Sequence, residues 1–438
     1  MSEMRRGWAA VVAAAAVVLT ACSGNGGGAT SSAPTVNSDP TKVSGTITVL
    51  TNRTDQLGKG ILDTYAAEFT KIYPNVKVKF EGMKDYEGEV KIRMNTENYG
   101  DVLPIPSDLS IAQFPNFFSP LGDASELSKT YQWTDYSTVS GKVYGIANYG
   151  TVTGFVYNKK VWADAGITEW PKTPDEFLTD LKAIKAKGQA IPYYTNYHDS
   201  WPLKQWTDAI GSPSCDPGAK DAMASTVTPW TSGHDIYTID SLLYSVVNQK
   251  LSEDDPTTTN WDQSKPMMAT GRIATMYLGS WAVSQVRDAA TEAGANPDDI
   301  GYMPFPSTSG KPCTVLQPDY KFAINKHSKN QEAARAWLDW FIDKSGAARN
   351  EQGISSVKGT ELPSALKPFT EKGVQMIGQT QEKLATVKKI DKGAEINLDA
   401  PEYRQKLVDI ARGAAPGDQA GYFAELNKKW SESQKTVG

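Results

Sequence analysis

Short apolar strand patterns alternate with amphipathic helix patterns along most of the chain. Residues 46–50 have the composition of a strand, residues 61–72 repeat apolar side chains at helical spacing until Pro74 ends the pattern, and residues 76–80 alternate apolar side chains with lysines. Strands separated by helices of this length indicate parallel βαβ units and an open α/β sheet. Ligands bind such sheets outside the carboxyl ends of the strands, so the loops that follow the strands are the first candidates for a site.

The composition excludes several classes of protein. The 438 residues suit two or three folding units of roughly 150 residues each. Lysine and arginine total 45 and aspartate and glutamate 50, and this net charge of −5, without any basic run, argues against a nucleic-acid partner. Three histidines and three cysteines are too few and too scattered for a Cys/His zinc site, so no metal and no other cofactor is predicted.

Residues 1–21 have the pattern of a signal peptide. Arg5 and Arg6 precede an apolar run over residues 8–19, which is too short to span ~30 Å of hydrocarbon at 1.5 Å per residue. The run closes on the sequence Leu-Thr-Ala before Cys22, which resembles the lipobox of bacterial lipoproteins. We therefore expect Cys22 to become the lipidated first residue. A plain secretory signal with an incidental cysteine is the alternative.

A flexible tether is predicted after the lipidated cysteine. Residues 22–42 are rich in Gly, Ser, Thr, Ala and Pro, and such a stretch cannot bury enough apolar surface to order itself. The chain is thereby expected at the outer face of the cytoplasmic membrane, held by its lipid anchor. Oxidising compartments favour disulfides, so Cys215 and Cys313 are predicted to pair, with two buried free thiols as the alternative.

Common enzyme signatures are absent from the sequence. It contains no G-x-S-x-G elbow, no phosphate-binding P-loop, no H-E-x-x-H and no C-x-x-C. A glycosidase-type pair of carboxylates stays open, because sequence alone cannot place two acids ~5–10 Å apart.

Aromatic side chains are the positive functional signal. The chain has 12 Trp and 19 Tyr, and several stand beside Pro, Gly, Asn or Asp, for example at Tyr149, at residues 197–202, at Trp281 and at Tyr320. Aromatic rings in loops offer flat apolar platforms, and with neighbouring acids and amides they suit sugars. The other tryptophans considered, Trp162, Trp206, Trp261, Trp337, Trp340 and Trp430, are predicted to pack in the core.

Four segments, in the right order, resemble the extracellular solute-binding proteins of carbohydrate ABC importers, the group related to maltose-binding protein. They are residues 141–162, 165–177, 269–281 and 328–341, and the likeness extends from about residue 45 to 430. The resemblance implies the α/β, type II periplasmic-binding-protein fold, whose two hinged lobes are joined by several crossover segments. These crossovers are expected near residues 149–154, 316–321 and 359–363. Lobe 1 is expected to comprise residues 43–150 and 320–361, and lobe 2 residues 151–319 and 362–438.

The resemblance also implies a ligand site in the cleft between the lobes. Trp281 matches the family's stacking tryptophan, Asp108 falls where a carboxylate binds sugar hydroxyls, and His198 stands where an aromatic stacking residue is usual. The full predicted set of ligand-binding residues is Asn52, Arg53, Asp55, Glu81, Asp108, Tyr149, Thr151, His198, Asp199, Trp201, Trp281, Asp319, Tyr320 and Tyr403.

The sequence thus predicts a monomeric, lipid-anchored binding protein without catalytic residues. It would capture a neutral sugar, an oligosaccharide, and deliver it to the permease subunits of an ABC importer, whose cytoplasmic ATPase supplies the energy. Two alternatives remain at this point: a secreted carbohydrate-active enzyme, and the same fold with a phosphosugar, iron or peptide as ligand. A phosphate in the cleft would require several arginines or a free helix N-terminus, and Arg53 is the one arginine in the predicted set.

Overall fold

Two β-sheets, each with its own helices and apolar core, form the framework of the protein. The computed structural model describes residues 32–437, so the predicted signal peptide and Cys22 lie outside the described residues. The strands are β1 (Gly45–Thr51), β2 (Val76–Gly82), β3 (Val102–Pro104), β4 (Gly122–Asp123), β5 (Thr138–Val139), β6 (Lys142–Val143), β7 (Ile146–Ala147), β8 (Tyr149–Asn158), β9 (Thr275–Gly279), β10 (Ile300–Pro304), β11 (Cys313–Pro318), β12 (Lys321–Ile324), β13 (Ile354–Ser355) and β14 (Gln375–Gly378).

Helices cover the sheets and account for most of the remaining chain. No helix within residues 32–437 is both long and apolar enough to cross a membrane. The α-helices are α1 (Thr54–Gly58), α2 (Ile61–Ile72), α3 (Tyr86–Met94), α4 (Phe114–Phe117), α5 (Ala124–Thr130), α6 (Lys159–Asp164), α7 (Pro174–Lys187), α8 (Trp201–Lys204), α9 (Ala219–Ala222), α10 (Asp235–Asn248), α11 (Trp261–Ala269), α12 (Ala282–Glu292), α13 (Gln331–Asp343), α14 (Ala347–Asn350), α15 (Lys367–Glu371), α16 (Leu384–Ala394), α17 (Glu402–Ala411) and α18 (Gln419–Val437).

Lobe 1 is built on a five-stranded sheet in the order β2-β1-β3-β12-β7. Strand β1 runs parallel to β2 and β3, whereas β12 is antiparallel to β3 and β7. Helices α2 and α13 cover the sheet, and the rings of Phe69 and Trp337 meet edge to face with centroids 5.2 Å apart. Trp337 and Trp340 are 1% and 7% exposed, which confirms their predicted place in the core.

The end of the predicted tether packs on lobe 1 and so departs from the expected flexibility. The backbone N–H of Asn37 donates to the Glu332 carboxylate at 2.8 Å, and the Asn75 amide donates to the carbonyl of Thr41 at 2.7 Å. Asp39 also caps a short 3₁₀ turn over residues 40–42. These hydrogen bonds hold the segment in place, whereas its apolar content alone is too low to do so.

Lobe 2 is organised around the long strand β8. Its hinge-side half pairs with β11 and β13, and its second half pairs with β9 and β10. Phe155, near the middle of β8, packs against Phe177 with ring centroids 4.5 Å apart. The helix start read from the sequence is confirmed, because Thr173 caps α7 by accepting a hydrogen bond from the N–H of Glu176 and Pro174 is the first helical residue.

The chain crosses between the lobes three times at one place. Strand β7 leads into β8, β11 leads back into β12, and the chain after β13 enters lobe 2 again before α15. The three passages are hydrogen-bonded side by side, since β13 and β11 both pair with the first residues of β8. Gly150 lies at this crossing, and a Cβ there would be 2.2 Å from the ring of Trp133. The crossing thus forms one hinge with an indole packed against its backbone.

A buried ion pair attaches the C-terminal helices to lobe 2. Arg404 and Asp240 are both 0% exposed, and the guanidinium Nε donates to the carboxylate at 2.9 Å. The indole N–H of Trp230 donates to the second carboxylate oxygen at 2.8 Å, and Arg404 also donates to the Thr207 hydroxyl at 2.6 Å. A buried charge pair is tolerated when further hydrogen bonds satisfy its atoms, and here they satisfy both carboxylate oxygens and the Nε and one Nη of the guanidinium, whereas the other Nη has no partner within residues 32–437.

A disulfide joins Cys215 to Cys313, which are 98 positions apart in sequence and whose Cα atoms are 5.4 Å apart. This is the pairing that an oxidising compartment favours. It fastens the loop after residue 209 to the first residue of β11, the strand that returns to the hinge.

Replacing both cysteines, as in C215S/C313S, is expected to lower the free energy of unfolding by about 2–5 kcal/mol, because the unfolded chain regains the entropy of an open loop. Urea denaturation without reductant measures the loss. The wild-type chain in reductant is the matched control and should unfold near the midpoint of the variant. Equal midpoints for the oxidised wild type and the variant would contradict a stabilising role.

Glu253 holds the segment that leads to α8. Its carboxyl group accepts a hydrogen bond from the Thr195 N–H at 3.0 Å and another from the Thr195 hydroxyl. Burial raises the pKa of Glu253 from its ordinary 4.5 to about 7, although the bonds from Thr195 oppose the change. A carboxyl whose pKa is higher in the folded than in the unfolded state stabilises the fold while protonated, and this contribution is lost as the pH rises through the folded pKa.

The free energy of unfolding is therefore expected to fall between pH 5 and 8 by up to ~3 kcal/mol through this one group. The variant Glu253→Gln keeps a neutral side chain at every pH and should lose that part of the slope, whereas Glu89→Gln, an exposed control, should keep it. Chemical denaturation over this pH range makes the comparison. An unchanged slope in Glu253→Gln would show that the carboxyl ionises as freely in the fold as in water.

Candidate functional site

Polar side chains follow one face of the two strands that cross at the hinge. Directly opposed residues of an antiparallel pair share a face, and Thr151 of β8 lies opposite Gln317 of β11. Tyr149 is next to Asp319, whose backbone N–H donates to the Tyr149 carbonyl at 3.0 Å. The hydroxyl oxygens of Thr151 and Ser280 are 3.0 Å apart. We call Tyr149, Thr151, Ser280, Gln317 and Asp319 the hinge row.

The hinge row contains groups that can both donate and accept hydrogen bonds. Burial raises the pKa of the Asp319 carboxyl, and the hydrogen bond from the Tyr149 hydroxyl partly offsets this rise. Burial also raises the pKa of Tyr149, well above its ordinary value, with the negative charge of Asp319 adding to the effect. Tyr149 thus keeps its proton at neutral pH and holds the carboxyl in place.

Three tryptophans form one wall beside the hinge row. Trp281 follows β9, Trp201 begins α8 and Trp261 begins α11. The centroid of the Trp281 ring is 5.8 Å from that of each of the other two, and the Trp201 and Trp261 centroids are 5.3 Å apart. All three are partly exposed. We call them the tryptophan cluster; it presents apolar ring surface that the core does not cover.

The tryptophan cluster adjoins the hinge row directly. A Cβ at Gly279 would lie 2.4 Å from the indole nitrogen of Trp281 and 3.0 Å from the hydroxyl of Thr151. Both atoms therefore surround the same point, and a residue larger than glycine would push them apart. Asp199 fixes the third tryptophan, because its carboxylate accepts a hydrogen bond from the backbone N–H of Trp261 at 2.6 Å.

An arginine with two acids forms the opposite wall, on lobe 1. The guanidinium of Arg53 donates to Asp55 at 2.7 Å and to Glu351 at 2.5 Å, and the amide of Gln56 also donates to Glu351. Burial raises the pKa of Glu351, and the charge of Arg53 opposes this change. The cluster thus presents carboxylate oxygens that are already neutralised in part.

A pocket of about 680 Å³, counted out to its mouth, opens between this cluster and the hinge. Its apolar lining residues include Val49, Phe80 and Trp337. Its polar lining residues are Thr51, Asn52, Arg53, Gln56, Asn148, Tyr149, Asp319, Tyr320 and Glu351.

The two walls face one another across the hinge row. Lys265 lies over the Trp261 ring with its amino nitrogen 5.0 Å from the centroid, and its positive charge contributes to lowering the pKa of Asp55. The hydrogen bond from Arg53 lowers that pKa more strongly, while burial alone would raise it. At the rim, Lys59, which directly follows α1, and Glu292, the last residue of α12, form an ion pair at 2.6 Å that joins the lobes. The arrangement is a cleft with a polar floor, one aromatic wall and one charged wall.

The structure brings together most of the residues predicted for the site. Ten of the fourteen lie around the cleft: Asn52, Arg53, Asp55, Tyr149, Thr151, Asp199, Trp201, Trp281, Asp319 and Tyr320. Tyr320 is held there by its hydroxyl, which donates to Glu87 at 2.8 Å.

The other four predicted residues are placed differently. Glu81 and Asp108 are exposed, and each pairs with a cation of α3, at 2.5 Å to Arg93 and 2.7 Å to Lys91 respectively. His198 is exposed, and its backbone N–H donates to Thr259. Tyr403 is 5% exposed and belongs to the core of lobe 2. Strand-end position alone does not separate a residue that faces the cleft from one that pairs with a neighbouring helix.

Several cleft residues were missed by the sequence analysis. Trp261 was predicted to be core but is half-buried in the tryptophan cluster, whereas Trp162, Trp206 and Trp430 are at most 2% exposed, as predicted. Trp261 directly follows the capping residue Asn260 at the start of a helix, and this position is the signal that could have identified Trp261 as a cleft residue. Glu351 carries no local signal, because it meets Arg53 across 298 residues of sequence. Among residues 32–437 no group of three or more His, Cys, Asp or Glu side chains is arranged to hold a metal ion.

Comparison with known proteins identifies the family. Residues 56–348 match the family model described as bacterial extracellular solute-binding protein. The manno-oligosaccharide specific solute-binding protein BlMnBP2 of Bifidobacterium animalis subsp. lactis, solved with mannotriose, is 32% identical, with a TM-score of 0.85 over 91% of this chain and 96% of that one. BlMnBP1 of the same organism, solved with mannobiose, is 33% identical with the same TM-score and coverage.

A curated relative gives the same result. The diacetylchitobiose binding protein DasA of Streptomyces coelicolor is 26% identical over 407 residues, which cover 85% of this chain and 88% of the relative. With more than half of the sequence matched by the family model and a shared two-lobed fold, the chain belongs to the bacterial extracellular solute-binding protein family.

Proposed function

We propose that this protein captures a neutral oligosaccharide between its lobes and delivers it to the permease of an ABC importer. The observation that carries the proposal is the tryptophan cluster, which stands against the hinge row with no core residue covering its exposed ring surface. Manno-oligosaccharides are the first candidates, because two solved relatives above 30% identity over nine-tenths of the chain are described as binding them.

The chemistry of the cleft matches the two surfaces of a sugar ring. A pyranose has faces of C–H groups and a belt of hydroxyls. The indole of Trp281 can cover such a face, while Asp319, Gln317 and the hydroxyls of the hinge row exchange hydrogen bonds with the belt. A buried polar group left without a partner costs ~1–3 kcal/mol, so a sugar with one hydroxyl inverted would bind more weakly. Selectivity then arises from the positions of the polar groups and affinity from the rings.

Closure of the lobes would complete the site. The three adjacent passages of the hinge permit a rotation that brings Arg53 and the tryptophan cluster together around the guest. Ligand contacts that form only in the closed state shift the population toward it. The closed form would dock on the permease, and ATP hydrolysis would take place in partner subunits.

Export and anchoring belong to the same proposal. Removal of residues 1–21 and acylation of Cys22 would hold a monomer at the outer face of the cytoplasmic membrane, where a tether lets it reach the permease. The disulfide between Cys215 and Cys313 is consistent with such a compartment.

A secreted enzyme of carbohydrate metabolism is the competing interpretation. The acids of the cleft are engaged by the protein itself: Asp55 and Glu351 by Arg53, and Asp319 by Tyr149. A glycosidase needs one free carboxylate and one free acid across the scissile bond. Incubation with mannotriose and with chitin oligosaccharides, followed by product analysis, separates the two functions. Any turnover would contradict the binding proposal.

Removing a ring from the tryptophan cluster should weaken sugar binding. Trp281→Ala and Trp261→Ala are each expected to raise the Kd for mannotriose by ~10-fold or more, because each deletes ~1.5–3 kcal/mol of aromatic contact. Isothermal titration calorimetry gives the Kd values, with cellotriose and maltotriose as comparison ligands.

The control for this experiment is Tyr237→Ala. Tyr237 packs on Phe423 at the far side of lobe 2, with centroids 5.6 Å apart, so its loss should leave the Kd unchanged. Unaltered affinity in both tryptophan variants, with both folded, would place the sugar elsewhere.

A further inference from the structure

A second pocket lies on the flank of lobe 2, apart from the cleft. It encloses about 560 Å³, counted out to its mouth, between α12, β10, α15 and the segment before α7. None of its lining residues belongs to the hinge row or to the tryptophan cluster.

The lining of this flank pocket carries cations without a matching anion. Lys159, Arg287 and Lys372 line it, and no carboxylate is among the described lining residues. Lys372 shares its charge with Glu169, which lies outside the lining, at 2.8 Å. Neither Lys159 nor Arg287 forms an ion pair with a carboxylate within residues 32–437.

Arg287 is the least satisfied of the three. One Nη donates to the carbonyl of Ile300 at 3.2 Å, whereas its buried Nε finds no hydrogen-bond partner within residues 32–437. Burial lowers the pKa of Arg287, and Asp298 opposes that change through space without a hydrogen bond to it. The partly exposed guanidinium of Arg287 therefore has donors left for an anion in the pocket that it lines.

The walls of the flank pocket are held in place by aromatic contacts. The indole N–H of Trp170 donates to the hydroxyl of Tyr157 at 3.0 Å, and the Lys372 nitrogen lies 5.3 Å from the centroid of the Trp170 ring. Gly301 leaves the space that these residues use, because a Cβ there would be 2.6 Å from the Tyr157 ring and 3.0 Å from Cγ of Lys159. The cations therefore surround a shaped pocket and not a flat surface.

We propose that the flank pocket is a second binding site, which takes a phosphate group carried by a small molecule or by a lipid headgroup. A phosphate monoester carries close to two negative charges at pH 7, which matches the two cations that form no ion pair. The planar guanidinium of Arg287 suits bidentate contact with phosphate oxygens, and the two lysines add point charges. The partly exposed Pro368, which lines the pocket, would contact the rest of the molecule. This site does not depend on the sugar proposal.

Calorimetric titration of the full chain with inorganic phosphate and with glycerol phosphate tests the site. We expect saturable binding of one equivalent, and a Kd raised ~10-fold or more in Arg287→Gln and in Lys159→Gln, since each loses a charge-assisted contact. Lys160→Gln is the matched control, because Lys160 is the next residue, pairs with Asp164 at 2.6 Å and does not line the pocket. Trp281→Ala should bind phosphate with the same affinity as the wild type. The phosphate site can therefore be tested independently of the sugar proposal.

Absence of binding by the wild type up to ~10 mM phosphate would overturn the proposal, since a weaker site has no use at cellular concentrations. Equal affinities in the wild type and Lys159→Gln would also overturn the proposal, because Lys159 would then make no contact with the phosphate. An equal loss of affinity in Lys160→Gln would overturn it as well, because the net charge of the protein would then be responsible for binding. Lys159 is exposed, so its variant keeps the test valid if Arg287→Gln fails to fold. Vesicles that contain phosphatidic acid, whose headgroup is a phosphate monoester, identify the source: binding that requires Lys159 there assigns a lipid headgroup, and binding of glycerol phosphate alone assigns a soluble ester.

Discussion

The backbone pairing of strand β8 is the constraint on which the rest of the molecule depends. The strand leaves lobe 1 at Tyr149 and continues as the centre of lobe 2, pairing with β13 and β11 at the hinge and with β9 and β10 beyond it. Because side chains alternate along a strand, Tyr149 and Thr151 share one face and become the floor of the cleft. The same ladder places the end of β9, and so Trp281, beside Thr151. The hinge and the proposed binding surface therefore share one strand ladder.

The acids of the cleft act as oriented hydrogen-bond acceptors and not as free charges. Arg53 holds Asp55 and Glu351, and Tyr149 holds Asp319. A neutral guest can enter such a site without leaving a buried charge unpaired, which would be costly. The flank pocket differs, because its arginine keeps an unpartnered buried nitrogen. The proposed cleft site and the proposed flank site would therefore favour guests of different charge.

Local sequence patterns predicted what local physics determines. Alternating strand and helix periods indicated the α/β architecture, and the Thr173 capping residue marked the start of α7. The family resemblance, and not a local pattern, pointed to Trp281, whose contact with a sugar stays a prediction. The predictions that failed concern contacts between residues that are far apart in the sequence. Glu351 reaches Arg53 only through the fold, and the ion pair of Asp108 with Lys91 depends on the packing of α3 beside the β3 loop. Trp261 was assigned to the core because side-chain size indicates burial on average, although its neighbours leave one face open.

The central claim is that a sugar ring lies against Trp281 while its hydroxyls contact the hinge row. A crystal structure of the protein with mannotriose tests it most directly. The account predicts the trisaccharide between the lobes, with one ring parallel to the Trp281 indole and a hydroxyl within ~3 Å of the Asp319 carboxyl. Mannotriose bound on an outer surface, or bound in the cleft without contact to either residue, would contradict it.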